Sequence, residues 1–133
     1  MQARFLCASA AILLMLGVTF GAFGSHALRE VVHINMLAVW HTAVLYQVIH
    51  GLGLLGLVAV RQHLQPRCAT LAGPVLLAGT VLFSFSLYAL VLTNVRWLGF
   101  VTPIGGTLMI AGWALVAVAA IMRPKKSADS VTN

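Results

Sequence analysis

Five histidines, two tyrosines and a scatter of hydroxyl side chains are the residues of this chain that could do chemistry. The only acids are Glu30 and Asp129. No pair of carboxylates can therefore divide the work of general acid and base, and no Ser/His/Asp set, nucleophile elbow or phosphate loop can be assembled. The tightest constellation is Tyr46, Gln47 and His50, at i−4, i−3 and i in the apolar run Met36–Val60. Helical spacing puts all three on one face. His50 lies close to the middle of that run, and Thr80 and Ser84 reach the depths of His50 and Tyr46 in the next apolar run, which makes them the expected partners. Such a set could relay protons or line a polar path. It could also be hydrogen-bond glue between helices, and that reading is preferred.

The remaining histidines suggest no metal or cofactor. His41 is nine residues before His50, half a turn out of phase, and His26 stands at the far end of a different run. A bis-histidine haem needs both ligands at one level, and His26, His33 and His41 lack the spacing of a zinc site. Cys7 and Cys68 are too few for a disulfide framework and are expected to be free thiols. His26, Arg29, Thr102, Pro103, Gly105 and Gly106 fall near one expected membrane face. There Thr102 is the expected N-cap of a helix, with Pro103 in its first turn. The two glycines could leave backbone N–H groups bare for a small anion or lipid headgroup. Helix initiation accounts for the same residues without a ligand and is preferred.

Four elements must position these groups. The chain has 133 residues, 61% apolar and 8% charged, against roughly a quarter charged in a soluble domain. Runs 5–24, 36–60, 69–93 and 102–122 contain no Asp, Glu, Lys or Arg, and each approaches or exceeds the ~20 residues a spanning helix needs. The expected fold is all-α: one integral membrane four-helix bundle over residues 1–122, followed by a disordered basic tail over 123–133. The first run is longer than the ~7–15 apolar residues of a signal peptide, so it is read as an uncleaved helix. Arg4, Arg61, Arg67, Arg123, Lys125 and Lys126 fall on one side and Arg29 and Arg96 on the other. Basic residues stay cytoplasmic, so both termini are expected there. The net charge of +6 thus reads as topology, not as a nucleic-acid patch. Gly17, Gly21 and Gly24 give the first helix a smooth packing face, and Gly53 and Gly56 do the same on the second. Residues 22–28 and 84–90 resemble each other, a likeness ascribed to shared apolar composition.

The segment Gly21-Ala22-Phe23-Gly24-Ser25-His26-Ala27-Leu28 resembles a signature of the YgdD-like family of small bacterial inner-membrane proteins. Further matches are Thr42-Ala43-Val44, Tyr46-Gln47, His50-Gly51-Leu52, Leu82-Phe83-Ser84, Ser86-Leu87-Tyr88-Ala89-Leu90, Thr102-Pro103-Ile104-Gly105-Gly106 and Gly112-Trp113. Phe85 departs from the pattern, where the family usually has glycine, and implies looser packing of the third helix. The resemblance implies four helices, a place in the inner membrane, and no established biochemical activity. The expectation is a non-enzymatic structural or interaction protein. Its partners are then the lipid bilayer and either a second copy or an unidentified membrane protein. The alternative is a small-solute, proton or ion conductor lined around His50. A metal- or haem-binding protein is a weaker alternative.

Overall fold

A computed structural model describes residues 2–122. The segment 123–133, expected to be a disordered basic tail, lies outside the described residues. Four long helices account for most of the chain: α1 (Gln2–Phe23), α2 (Ile34–Val60), α3 (Pro66–Thr93) and α4 (Val101–Ile121). Among the described residues there is no strand. All four are long and apolar enough to cross a membrane. A helix satisfies its own backbone groups, which is what lipid demands of a spanning segment.

The helices outrun the apolar stretches at several ends, because the bilayer limits where apolar residues stop and not where helix stops. Local chemistry sets those ends. Gln65 opens α3 by accepting the Cys68 N–H at 2.8 Å through its side-chain oxygen, with Pro66 in the first turn. Asn94 closes α3 in the left-handed region at φ 55°, its N–H donating to Leu90 O. His33 precedes α2, and its Nδ1 accepts from the Asn35 N–H at 3.3 Å. Beyond Phe23 the first helix widens into a π turn, Gly24–Leu28. The similar segment 84–90 stays α-helical, so the sequence likeness does not extend to the backbone. Short 3-10 turns, Arg61–His63 and Arg96–Phe100, complete the loops before α3 and α4.

Neighbours in sequence pack as antiparallel neighbours in space: α1 on α2, α2 on α3 and α3 on α4. Two glycine-lined seams bring them close. On the first seam a Cβ at Gly17 would come within 2.6 Å of Val48 Cγ2, at Gly21 3.5 Å from Val44 Cγ1, and at Gly24 2.5 Å from Trp40 Cδ1. On the second, Gly79 and Gly105 let the backbones of α3 and α4 touch, and Gly112 admits Leu76. Gly53 makes room for the Trp113 ring from α4. Gly56 faces open space, with nothing within 4 Å of an added Cβ, so the packing role expected of it is not taken up. Gly51, Gly73, Gly79 and Gly112, to which the sequence assigned no packing role, do pack closely.

The interior is layered. One apolar cluster, including Leu6, Leu13, Leu54, Leu57 and Leu76, fills the end that carries Arg4, Arg61 and Arg67. Another, including Leu28, Leu37, Trp40, Leu87 and Tyr88, fills the end that carries Arg29 and Arg96. Between them lie the buried polar side chains Gln47, His50, Thr80 and Ser84.

Candidate functional site: a polar layer between two apolar cores

Gln47 is the centre of this layer. It stands midway along α2, wholly buried. Its amide nitrogen donates to Leu13 O of α1 at 2.8 Å, and its amide oxygen accepts from the Tyr88 hydroxyl of α3 at 2.8 Å. One side chain thus joins three helices. Leu13 O is reachable because residue 17 is glycine. In an α-helix the side chain at i+4 leans back over the carbonyl of residue i, and Gly17 has none. The Gln47 amide nitrogen lies 3.8 Å from where a Cβ at Gly17 would sit.

The same device recurs one layer away. Trp40 Nε1 donates to Phe20 O at 2.7 Å, and the residue four beyond Phe20 is Gly24, where a Cβ would lie 2.7 Å from that nitrogen. Around this bond Phe20 packs edge-on against Trp40 and Tyr88, with ring centroids 5.9 Å and 4.8 Å apart. Phe85 reaches Phe20 at 6.3 Å and Tyr88 at 5.8 Å. In place of looser packing there, the phenyl ring carries α3 across to α1.

The other expected members divide. Ser84 donates to Ala43 O of α2 at 3.0 Å and so ties α3 to α2. Thr80 bonds back to Leu76 O on its own helix at 2.7 Å. His50 does the same through Nδ1 and Tyr46 O, 2.8 Å apart, so the expected His50–Thr80 pairing is replaced by two bonds within helices. Tyr46 is not in the buried layer: it is 39% exposed, stacked on His50 at 5.9 Å and tilted against Phe83 at 4.7 Å. Tyr46 and Gln47 are consecutive and therefore about 100° apart around the helix. Gln47 turns to α1 and α3, whereas Tyr46 and His50 turn toward Phe83 and Trp113. The single expected cluster is two.

Near the other expected site, α4 begins at Val101, so Thr102 lies inside the first turn and does not cap it. Its hydroxyl shares a 2.9 Å hydrogen bond with Ser86 of α3. Pro103 falls in that first turn. Gly105 is buried against the Phe83 backbone, and Gly106 lies beside the Phe83 ring at ordinary contact distance. The glycine pair is occupied by helix contact. His26 and Arg29 are exposed. Among the described residues no three His, Cys, Asp or Glu side chains gather where they could hold a metal. Tyr88, Trp40 and Ser86 take part although the sequence assigned them no role.

A family model described as a protein of unknown function, DUF423, matches residues 20–106. The chain is 40% identical over 126 residues to the UPF0382 inner membrane protein YgdD of Escherichia coli, covering 95% of this chain and 96% of that one. It is 42% identical over 112 residues to the UPF0382 membrane protein YwdK of Bacillus subtilis, covering 84% of this chain and 91% of that one. A UPF0382 membrane protein of Staphylococcus aureus is 43% identical over 105 residues, covering 79% and 85%. No solved structure matches.

Proposed function

We propose a function from this premise: the chain belongs to the DUF423 family of membrane proteins. It is a non-enzymatic structural or interaction component of the bacterial inner membrane. It presents a rigid four-helix body to lipid or to another membrane protein and transforms no substrate. What supports this reading is how the buried polar groups are used. Among the described residues every buried side-chain nitrogen and oxygen has a hydrogen-bond partner within the chain. The bonds made by Gln47, Trp40, Ser84 and Thr102 cross between helices. In hydrocarbon, polar groups satisfied in this way hold helices in register. A conducting path would need groups free to exchange partners with water or a transported ion.

Conduction around His50 is the reading to test against. Protein reconstituted into vesicles with a trapped pH-sensitive dye is expected to pass protons, under an imposed gradient, no faster than empty vesicles. A faster rate that His50→Gln abolishes would replace the structural reading with a conductor, because glutamine does not titrate.

Both termini are placed in the cytoplasm on charge asymmetry. Arg4, Arg61 and Arg67 share one end of the bundle, and Arg123, Lys125 and Lys126 come next in sequence after α4. A reporter active only outside the membrane should be silent when fused after Asn133 and active when fused at Arg29 or Arg96. The reverse pattern would invert the orientation.

A further inference from the structure

At the end of the bundle bearing Arg4, Arg61 and Arg67, the α2–α3 loop arches over a half-open cavity of about 580 Å³. That volume is in the range of small-ligand pockets, ~300–1,000 Å³. Its walls are of two kinds. Leu6, Leu57, Val58 and Leu64 supply apolar surface from α1, α2 and the loop, while Arg61 and Gln62 stand exposed at the rim. A 2.9 Å bond from Gln65 N–H to Ala119 O of α4 holds the loop in place. The cavity therefore does not depend on a mobile lid.

Charge selects the occupant. Arg4, Arg61 and Arg67 are exposed at this end, and the one acid among the described residues, Glu30, is in the loop at the opposite end. The chain's own end, beginning Arg123-Pro124-Lys125-Lys126, is basic and would be repelled by the same rim. An amphiphile with an anionic head and an apolar tail matches both walls. We infer that the cavity holds one anionic phospholipid, its phosphate at Arg61 and Gln62 and part of an acyl chain along Leu6, Leu57, Val58 and Leu64. This deepens the proposed interaction role by giving it a ligand class, and its failure would leave the hydrogen-bonded core untouched.

The test titrates delipidated protein in detergent with phosphatidylglycerol or phosphatidylethanolamine of identical acyl chains, counting bound lipid by native mass spectrometry. One phosphatidylglycerol should bind in preference to phosphatidylethanolamine. Arg61→Gln, an exposed change that leaves the fold intact, should weaken phosphatidylglycerol by about fivefold, as expected for one basic residue at an anionic surface. It should weaken phosphatidylethanolamine less, because that lipid's ammonium offsets the charge of its phosphate. Ala69→Leu, which fills the cavity from α3, should weaken both. Equal affinity for the two lipids, or phosphatidylglycerol binding indifferent to Arg61→Gln, would overturn the inference. Deleting residues 123–133 should leave the affinity unchanged or lower. A rise would assign the cavity to the chain's own end and overturn the inference as well.

Discussion

Replacing Gln47 with leucine is expected to destabilise the bundle in detergent by about 1–3 kcal/mol, even though leucine matches glutamine closely in size. The cost comes from what is left behind. Leu13 O keeps its place in the α1 backbone ladder, but the Tyr88 hydroxyl loses its acceptor in a fully buried setting. A stranded donor in the membrane interior carries the desolvation penalty of its group. His50→Leu should cost less than Gln47→Leu, because the one hydrogen bond of His50 goes to its own helix. Denaturation midpoints of both variants beside wild type read this ordering directly. An equal or larger loss for His50→Leu would move the mechanical centre of the protein to the histidine.

Gly105→Val should be at least as damaging, at or above the ~3 kcal/mol upper end usual for overpacked cores. An added Cβ would press on the Phe83 backbone nitrogen and Cα and lie 2.9 Å from Gly79 O. A side chain in the way can rotate; a backbone cannot. α4 would have to lift from α3, breaking the Thr102–Ser86 bond and withdrawing Gly112 from Leu76. Gly56→Ala is the matched control. With nothing within 4 Å of its Cβ, alanine there should be neutral or stabilising by up to ~1 kcal/mol through helix propensity. Folded yield and melting temperature in detergent separate the pair. Similar losses at both positions would mean that the α3–α4 seam is not the close contact described.

The spans were legible because lipid imposes a strong rule: about 20 residues without charge, arranged as helix. Gln47, His50, Thr80 and Ser84 were legible for the same reason, as polar residues inside apolar runs. Their partners were not. Matching residues by backbone depth pairs His50 with Thr80, but side chains lean toward the N-terminus of their own helix. α2 and α3 run in opposite directions, so side chains at equal depth lean apart. Residues offset the other way, such as Gln47 and Tyr88, lean together and meet at 2.8 Å. That offset is the signal which could have found Tyr88. The rotation of α2 was equally out of reach, since apolar residues on all sides leave no stripe to say which polar residue faces inward. Glycines marked the α1–α2 seam in the sequence through Gly17, Gly21 and Gly24. The α3–α4 seam at Gly79, Gly105 and Gly112 was hidden, because Gly105 read as part of a helix start.

The central claim is that Gln47, at the midpoint of α2, fastens neighbouring helices through specific hydrogen bonds and so gives the protein one rigid body. A double-mutant cycle on Gln47→Leu and Tyr88→Phe tests it most directly, with unfolding free energies measured in one detergent. Each single change strands the other partner, whereas the double variant strands neither. The double variant should therefore be more stable than the sum of the two losses predicts, by about 0.6–1.7 kcal/mol, the span of hydrogen-bond couplings between membrane helices. Strict additivity of the two losses would contradict it, because two side chains that do not depend on each other are not fastening anything together.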